Sequence, residues 1–152
     1  EKAHEGFHFI PDRDEHGPIM RINSGPLGEA IVKSIPKVMK TLADDGHNLI
    51  VDEVLFEDLG LKYYVQALSH HTVYFIGIMC ELDVMEEREI LRGDRALGLA
   101  RDQILRVHGP TRFYDLTVDS THISAFDCAR NILEFVRQNG NPQGFDKLRK
   151  TF

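Results

Sequence analysis

The chain has 152 residues, of which 42% are hydrophobic and 28% charged, so it can bury a core without disulfides or metals and has a globular composition. Its formal net charge of -6 disfavours a nucleic-acid partner, because neutralising phosphates needs an excess of Lys and Arg. The longest apolar run, 73–80, is too short to cross a bilayer, so no membrane partner is expected. Cys80 and Cys128 show neither metal-ligand spacing nor a disulfide framework, which favours a cytoplasmic protein.

The first predicted element is a hairpin over residues 6–22, in which short apolar runs flank a polar, turn-rich stretch at 11–18. A long helix is expected from Pro26, because apolar residues then recur at spacings of three and four. Pro36 should kink this helix, and the Asp-Gly pair at 45–46 should end it.

The remainder predicts strands that alternate with helices. Strands are expected at about 48–54, 73–80 and 113–119, and the middle one is continuously apolar, as in a parallel strand covered on both faces. Helices are expected at about 57–68, 82–91 and 96–107, and one begins at the capping-box-like Ser124. A turn at 140–142 and a polar tail should end the chain.

This order predicts an α/β fold in one domain: a three-layer, mostly parallel sheet with helices on both faces. In such sheets ligands bind beyond the carboxyl ends of the strands, where Asp52, Cys80 and Asp119 fall. An apolar strand that delivers an acid such as Asp52 at its end is how P-loop enzymes hold magnesium. Strands that end in an acid are common, so a structural role stays open.

Arginines form the second candidate feature. Arg88, Arg92 and Arg95 share a face if their helix is continuous, and a guanidinium grips phosphate oxygens with paired hydrogen bonds. The alternative is a solvated helix in which these arginines pair with neighbouring acids. Gly93 favours the functional interpretation, because a glycine inside a helix costs stability and suits a lid hinge.

Several segments together resemble the chloramphenicol phosphotransferase family of P-loop kinases, in the family's order and with about its spacing, from roughly residue 5 to residue 136. The segments are 50–56 (IVDEVLF), 80–81 (CE), 88–98 (REILRGDRALG), His108 and 114–122 (YDLTVDSTH).

The resemblance implies a P-loop NTPase-like fold and transfer of the γ-phosphoryl group of ATP to a hydroxyl of chloramphenicol or a similar small molecule, with ATP and Mg²⁺ as cofactors. It implies that the lid arginines are catalytic, that an acid near the third strand holds the metal, and that neighbouring residues bind nucleotide and acceptor. The implied residues are Arg88, Arg92, Arg95 and Asp52 for catalysis, Asp52 for the metal, Arg92, Arg95, Asp119, Ser120 and Thr121 for the nucleotide, and Glu53 and Phe56 for the acceptor.

The phosphate loop G-x-x-x-x-G-K-[ST] is absent from the sequence. Gly93 and Gly98 have its glycine spacing, but Leu99 and Ala100 follow instead of Lys and Ser or Thr. The family's catalytic aspartate, which precedes the matching region, is absent too. We therefore expect that an N-terminal P-loop segment is missing, that this chain alone is inactive and that its sheet has a gap. A non-catalytic binding or oligomerisation module is the alternative, and a homo-oligomer stays open in either case.

Overall fold

The computed structural model describes residues 4–152, apart from the side chain of residue 105. Two strand pairs and six helices make up this part of the chain, which is an α/β arrangement as expected. In chain order the elements are β1 (Phe7–Asp14), β2 (Gly17–Ser24), α1 (Pro26–Asp44), α2 (Glu57–Ala67), β3 (Ile76–Met79), α3 (Leu82–Arg92), α4 (Leu99–Val107), β4 (Leu116–Asp119), α5 (Ala125–Gln138) and α6 (Gly144–Thr151).

The predicted hairpin is confirmed, but its turn is shorter than expected. Strands β1 and β2 pair antiparallel from Phe7 opposite Ser24 to Asp14 opposite Gly17, so the pairing includes most of the stretch 11–18 that was expected to form the turn. Prolines are tolerated there because a two-stranded ribbon has only edges, where a missing N–H need not break a ladder. The Asp14 carboxylate accepts a hydrogen bond from the His16 amide (2.8 Å) and closes the turn.

Helix α1 begins at Pro26 and ends before Asp45, as predicted. Proline suits this first position because its missing N–H would have no partner in the first turn of a helix. Pro36 lies buried inside the helix, which continues through it, and the kink expected there stays a prediction.

The strand predicted at 48–54 does not form, and this part of the prediction is wrong for the described chain. The segment has no regular structure and exposes its apolar side chains, with Ile50 fully in solvent. The physical reason is that strand β3 pairs in parallel only with β4 in residues 4–152, so no neighbouring strand offers hydrogen bonds to this segment. The described sheet is therefore two short parallel strands.

The chain ends in helix α6, whereas the sequence was expected to finish in a polar tail. The apolar side chains of Phe145, Leu148 and Phe152 recur at helical spacing and pack into the core, which outweighs the polar composition of the segment. The Asp115 carboxylate anchors the helix, since it accepts hydrogen bonds from the amides of Gln143 (2.6 Å) and Gly144 (2.7 Å).

The largest buried cluster lies between helices α2 and α6. Apolar side chains from α1 and from the segment that leads into β3 pack against it, so this cluster holds one end of the β3–β4 pair in place. Its buried members are Leu61, Tyr64, Val65, Leu68, Phe145 and Leu148.

We predict that Leu148→Ala lowers the free energy of unfolding by about 2–5 kcal/mol, because truncation of a fully buried leucine loses its transfer energy and leaves a cavity. Leu133→Ala, at a half-exposed position on α5, is the matched control and should cost about 0.5 kcal/mol or less. Urea unfolding of both variants measures the difference. An equal decrease in the free energy of unfolding of the two variants would contradict the packing role of α6.

Candidate functional site

Helices α3 and α4 and the loop that joins them form a helical hairpin, which we call the lid. Helix α3 ends at Gly93, whose φ of 68° is left-handed and suits glycine, so the predicted helix break at this residue is confirmed. Arg88 and Arg92 lie on α3, whereas Arg95 follows in the loop. The sequence analysis considered one continuous helix through all three arginines, and the structure does not have one.

The three lid arginines nevertheless line a single open cavity of about 200 Å³, so the structure does bring them together. Arg88, Arg92 and Arg95 share its wall with side chains of α3 and α4. The other lining residues are Met85, Glu89, Ala100 and Gln103.

Arg88 connects this cavity to the carboxyl ends of the strands. Its Nη2 donates hydrogen bonds to the carbonyl oxygens of Ser120 (2.8 Å) and Thr121 (3.2 Å), which directly follow β4. Its Nη1 lies 3.4 Å from the sulfur of Cys80, the first residue after β3. Arg88 therefore links the wall of this cavity to the carboxyl ends of the strands, the edge of the sheet where α/β proteins bind ligands.

All three lid arginines are exposed, but Arg92 and Arg95 have fewer internal partners than Arg88. Arg92 forms an ion pair with Asp94 (Nε to Oδ1, 2.8 Å) in which both side chains are more than half exposed. Such a surface pair contributes little to stability, so little free energy is lost if an anionic ligand replaces Asp94 as the partner of Arg92. Arg95 is an exposed loop side chain on the wall of the same cavity.

Buried Glu89 fixes the shape of the lid, and the sequence analysis did not single it out. Its two carboxylate oxygens accept hydrogen bonds from the amides of Gly98 (2.7 Å) and Ala100 (2.9 Å), which cap the amino end of α4. Gly98 has a φ of 89°, and a Cβ here would stand 2.9 Å from the Cα of Ile19. This glycine therefore lets the β1–β2 hairpin pack against the start of α4. Gly98, a glycine directly before a helix, was the one feature of the sequence that indicated a cap at the amino end of α4.

The last residue of β4 and the two residues after it, Asp119, Ser120 and Thr121, are those expected to bind the nucleotide. The Asp119 carboxylate accepts hydrogen bonds from the Thr121 hydroxyl and amide, and these bonds hold the pKa of Asp119 below its usual range. The Ser120 hydroxyl donates to the Met79 carbonyl (3.0 Å), and the Thr121 hydroxyl accepts from the Glu81 amide (3.0 Å). These side chains join the ends of β3 and β4.

Asp52, Glu53 and Phe56 lie in the irregular segment before α2, and none of them lines the arginine cavity. Asp52 is exposed, whereas the Glu53 carboxylate accepts a hydrogen bond from the Tyr64 hydroxyl (3.2 Å). Burial, and secondly the Glu53 carboxylate, raise the pKa of Tyr64. The guanidinium of Arg106 stacks 4.7 Å above the centre of the Phe56 ring.

Two features of the described residues bear on whether a nucleotide and a magnesium ion could bind. No group of three or more His, Cys, Asp or Glu side chains within residues 4–152 could enclose a metal ion. A single exposed carboxylate such as Asp52 suits Mg²⁺, which proteins bind through one or two carboxylates together with water and substrate phosphates. The arginine cavity suits phosphate oxygens, but the backbone loop that cradles them is not in this sequence.

None of the described helices has the length and apolarity needed to span a bilayer.

A cavity lined by three arginines offers paired hydrogen-bond donors to the oxygens of an anionic group. The sequence matches the family described as chloramphenicol phosphotransferase-like protein over residues 2–137, and the chain belongs to this family. It is also similar to proteins from two strains of Mycobacterium tuberculosis that bear the name "Putative O-phosphotransferase", with 26% identity over 131 residues. The match covers 86% of this chain, and the chain spans 58% of the length of those relatives.

His108 ends α4, and its Nδ1 forms a hydrogen bond with the Tyr114 hydroxyl (2.8 Å). Burial lowers the pKa of His108 below 6.5, and the positive charge of Arg112 acts in the same direction, although a backbone hydrogen bond at Ile78 opposes them. The unfolded chain therefore binds a proton at this position more readily than the folded chain. The free energy of unfolding therefore decreases as the pH falls from neutral through 6.5 towards the lowered pKa of His108.

We predict that His108→Gln reduces the loss of unfolding free energy between pH 7.5 and 5.5, because the substituted side chain takes up no proton in this range. Urea unfolding at the two pH values measures the change. His47→Gln, at an exposed position, should keep the wild-type pH dependence. If His108→Gln also keeps the wild-type pH dependence, the assignment of this dependence to His108 is wrong.

Proposed function

We propose that the protein to which this chain belongs transfers the γ-phosphoryl group of ATP to a hydroxyl of a small molecule, chloramphenicol or a similar compound, with Mg²⁺. The observation that carries the proposal is that Arg88, Arg92 and Arg95 line one cavity, and that Arg88 also bonds to the residues that directly follow β4. Phosphoryl transfer depends mainly on positioning and electrostatic stabilisation, and arginines supply both.

Each lid arginine has a proposed part in this reaction that follows from its contacts. Arg88 is held by the carbonyls of Ser120 and Thr121, so its guanidinium is fixed in place and orients the phosphates. Arg92 and Arg95 are exposed and stabilise the charge that spreads over the phosphoryl oxygens as the bond to the leaving group breaks.

The remaining site residues receive proposed roles from their positions. Asp52 would hold Mg²⁺, which neutralises phosphate charge when bound. Glu53 and Phe56 would contact the acceptor, one with a carboxylate and the other with an aromatic face. The loop of Asp119, Ser120 and Thr121 would lie beside the nucleotide base, because Arg88 joins this loop to the lid.

We assign the phosphate loop, and the third layer of the fold, to a part of the full-length protein outside these 152 residues. The segment 48–54 supports this assignment, because it exposes Ile50 and its apolar neighbours and has no strand beside it in the described chain. A parallel strand inserted between this segment and β3 would give it hydrogen bonds and cover those side chains. The greater length of the relatives leaves room for such a strand.

The same exposed segment also favours a second candidate, a binding or oligomerisation module without phosphotransferase activity. In that case another copy or another protein would cover 48–54, and the arginine cavity would bind an anion without transfer. The two candidates differ in ATP turnover by the full-length protein.

We predict that Arg95→Ala in the full-length protein lowers turnover by about 10³-fold, because a transition-state arginine acts on the reacting charge. Stability should barely change, since an exposed arginine contributes little to folding. Arg130→Ala, an exposed ion-paired arginine on α5, is the matched control and should keep wild-type turnover. A magnesium-dependent assay of ATP consumption with chloramphenicol, together with urea unfolding, measures both quantities.

The 152-residue chain should transfer no phosphate in the same assay, since the loop that cradles the β- and γ-phosphates is absent from its sequence. Robust transfer by this chain would refute the assignment of residues. Inactivity of a folded full-length protein towards a panel of small hydroxyl compounds would favour the binding module.

A further inference from the structure

The β1–β2 hairpin lies along helix α4, and neither the sequence analysis nor the proposed reaction gives it a part. Three consecutive residues of β2 are bonded to α4 at intervals of four residues, so each contact lies about one helical turn from the next. The contacts thus follow a single face of α4 over almost its whole length. The bonded pairs are Met20 with Gly98, Arg21 with Asp102, and Ile22 with Arg106.

Asp102 is the centre of this contact. Its side chain is only 2% exposed, and its carboxylate accepts hydrogen bonds from the Nε of Arg21 (3.0 Å) and the Nη1 of Arg106 (2.9 Å). The same Nη1 donates to the carbonyl oxygen of Ile22 (3.2 Å). A buried carboxylate needs charged donors to offset its lost hydration, and such a network favours one defined geometry more than it adds stability. The network therefore sets where β2 docks on α4.

Arg101 on α4 joins the hairpin to the other helix of the lid. Its Nη1 donates to the Asp14 carboxylate (3.4 Å) at the end of β1, and its Nε donates to the Glu86 carboxylate (2.7 Å) on α3. The three side chains are between 20% and 27% exposed, so solvent screens these pairs less than it screens pairs on the open surface. The hairpin is thus tied to α3 as well as to α4.

Helix α4 presents one face to the arginine cavity and another to the hairpin. Ala100 and Gln103 lie three residues apart and line the cavity. Asp102 and Arg106 lie four residues apart and contact the hairpin. A shift of the hairpin on α4 would therefore act on a wall of the cavity.

Gly98 lies between the cavity and the hairpin. Its amide donates to the carboxylate of Glu89, which lines the cavity, and its carbonyl accepts a hydrogen bond from the Met20 amide (3.3 Å). The Met20 amide thus donates out of the hairpin to the lid. Exchange of its hydrogen with solvent reports directly whether the hairpin is docked on α4.

We propose that Asp102 is a positioning residue: it docks the hairpin on α4, and the docked hairpin holds α4 in place as a wall of the arginine cavity. Docking of the hairpin and binding of phosphate oxygens in the cavity are then linked, so each strengthens the other by the same factor. The proposal rests on the proposed function in one respect, namely that the phosphates of the nucleotide enter this cavity. Arg112 also donates to the Val107 carbonyl at the end of α4 (2.9 Å), so loss of docking shifts α4 but does not release it.

The first test measures hydrogen exchange of the Met20 amide in the full-length protein. Asp102→Asn should speed this exchange by about 10-fold or more, because a neutral amide weakens the charge-assisted bonds that dock the hairpin. Asp127→Asn is the matched control and should leave the exchange unchanged, because Asp127 also pairs with an arginine, Arg130, but on α5. Exchange of the Val65 amide, in the buried cluster, corrects for any change in global stability.

The second test adds a phosphate ligand, either a non-hydrolysable ATP analogue or inorganic pyrophosphate. Each should slow exchange of the Met20 amide several-fold in the wild type, and Asp102→Asn should weaken the binding of each by about 5–10-fold. Joint substitution of Arg92→Ala and Arg95→Ala should abolish the slowing but leave exchange without ligand unchanged. A purely structural role of Asp102 would alter exchange without ligand, but neither ligand would then slow exchange in the wild type.

The proposal is overturned if Asp102→Asn leaves exchange of the Met20 amide unchanged, if neither ligand slows it in the wild type, or if the slowing persists in the double arginine variant. If the ligands slow it but the full-length protein transfers no phosphate, the proposed reaction fails and the link between hairpin and cavity stands. Should Asp102→Asn fail to fold, Arg21→Gln replaces it, since Arg21 is about half exposed and Asp102 keeps its pair with Arg106. Arg13→Gln, at an exposed position on the same hairpin, is then the control.

Discussion

The hydrogen bonds from Arg88 to the carbonyls of Ser120 and Thr121 are the interaction on which the geometry of the site depends. The Glu81 amide, at the start of α3, adds a hydrogen bond to the Thr121 hydroxyl (3.0 Å). Because Arg88 itself lines the cavity, the bonds that dock the lid also orient the first of the three guanidinium groups. Charge-assisted bonds of this kind are stronger than neutral ones, so the lid helix α3 is held firmly at this point.

The arginines of this chain divide into two kinds by their partners. Arg88 and Arg112 donate mainly to backbone carbonyls: Arg88 ties α3 to the residues after β4, and Arg112 ties the end of α4 to the start of α2. Arg92 and Arg95 are exposed on the cavity wall and make weak or few internal contacts. Arginines anchored by backbone carbonyls, beside arginines with few partners that can turn onto a ligand, are the arrangement that positional catalysis requires.

Local signals in the sequence were sufficient for much of the fold. The hairpin, α1 and α5 follow from turn residues, a proline at the first helical position and the Ser124 cap, all of which act within a few residues. The strand predicted at 48–54 was wrong because strand formation needs a neighbour, and sequence periodicity does not reveal one. Helix α6 was missed because Phe145 and Leu148 gain their energy from distant α2.

In the candidate site, too, the sequence reveals local features but not contacts between distant residues. Spacing along the chain drew attention to the three lid arginines, and the structure gathers them although the helix breaks at Gly93. Glu89 and Arg112 were not singled out, because their importance comes from burial and from partners far along the chain. Charged residues that are buried by tertiary contacts carry no local signature.

The most direct test of the central claim is the crystal structure of the full-length protein with Mg²⁺ and a non-hydrolysable ATP analogue. The account predicts that the β- and γ-phosphates lie within hydrogen-bond distance of the guanidinium groups of Arg88, Arg92 or Arg95, and that segment 48–54 has joined the sheet. A nucleotide bound elsewhere, with the arginine cavity empty and the segment still unpaired, would contradict it.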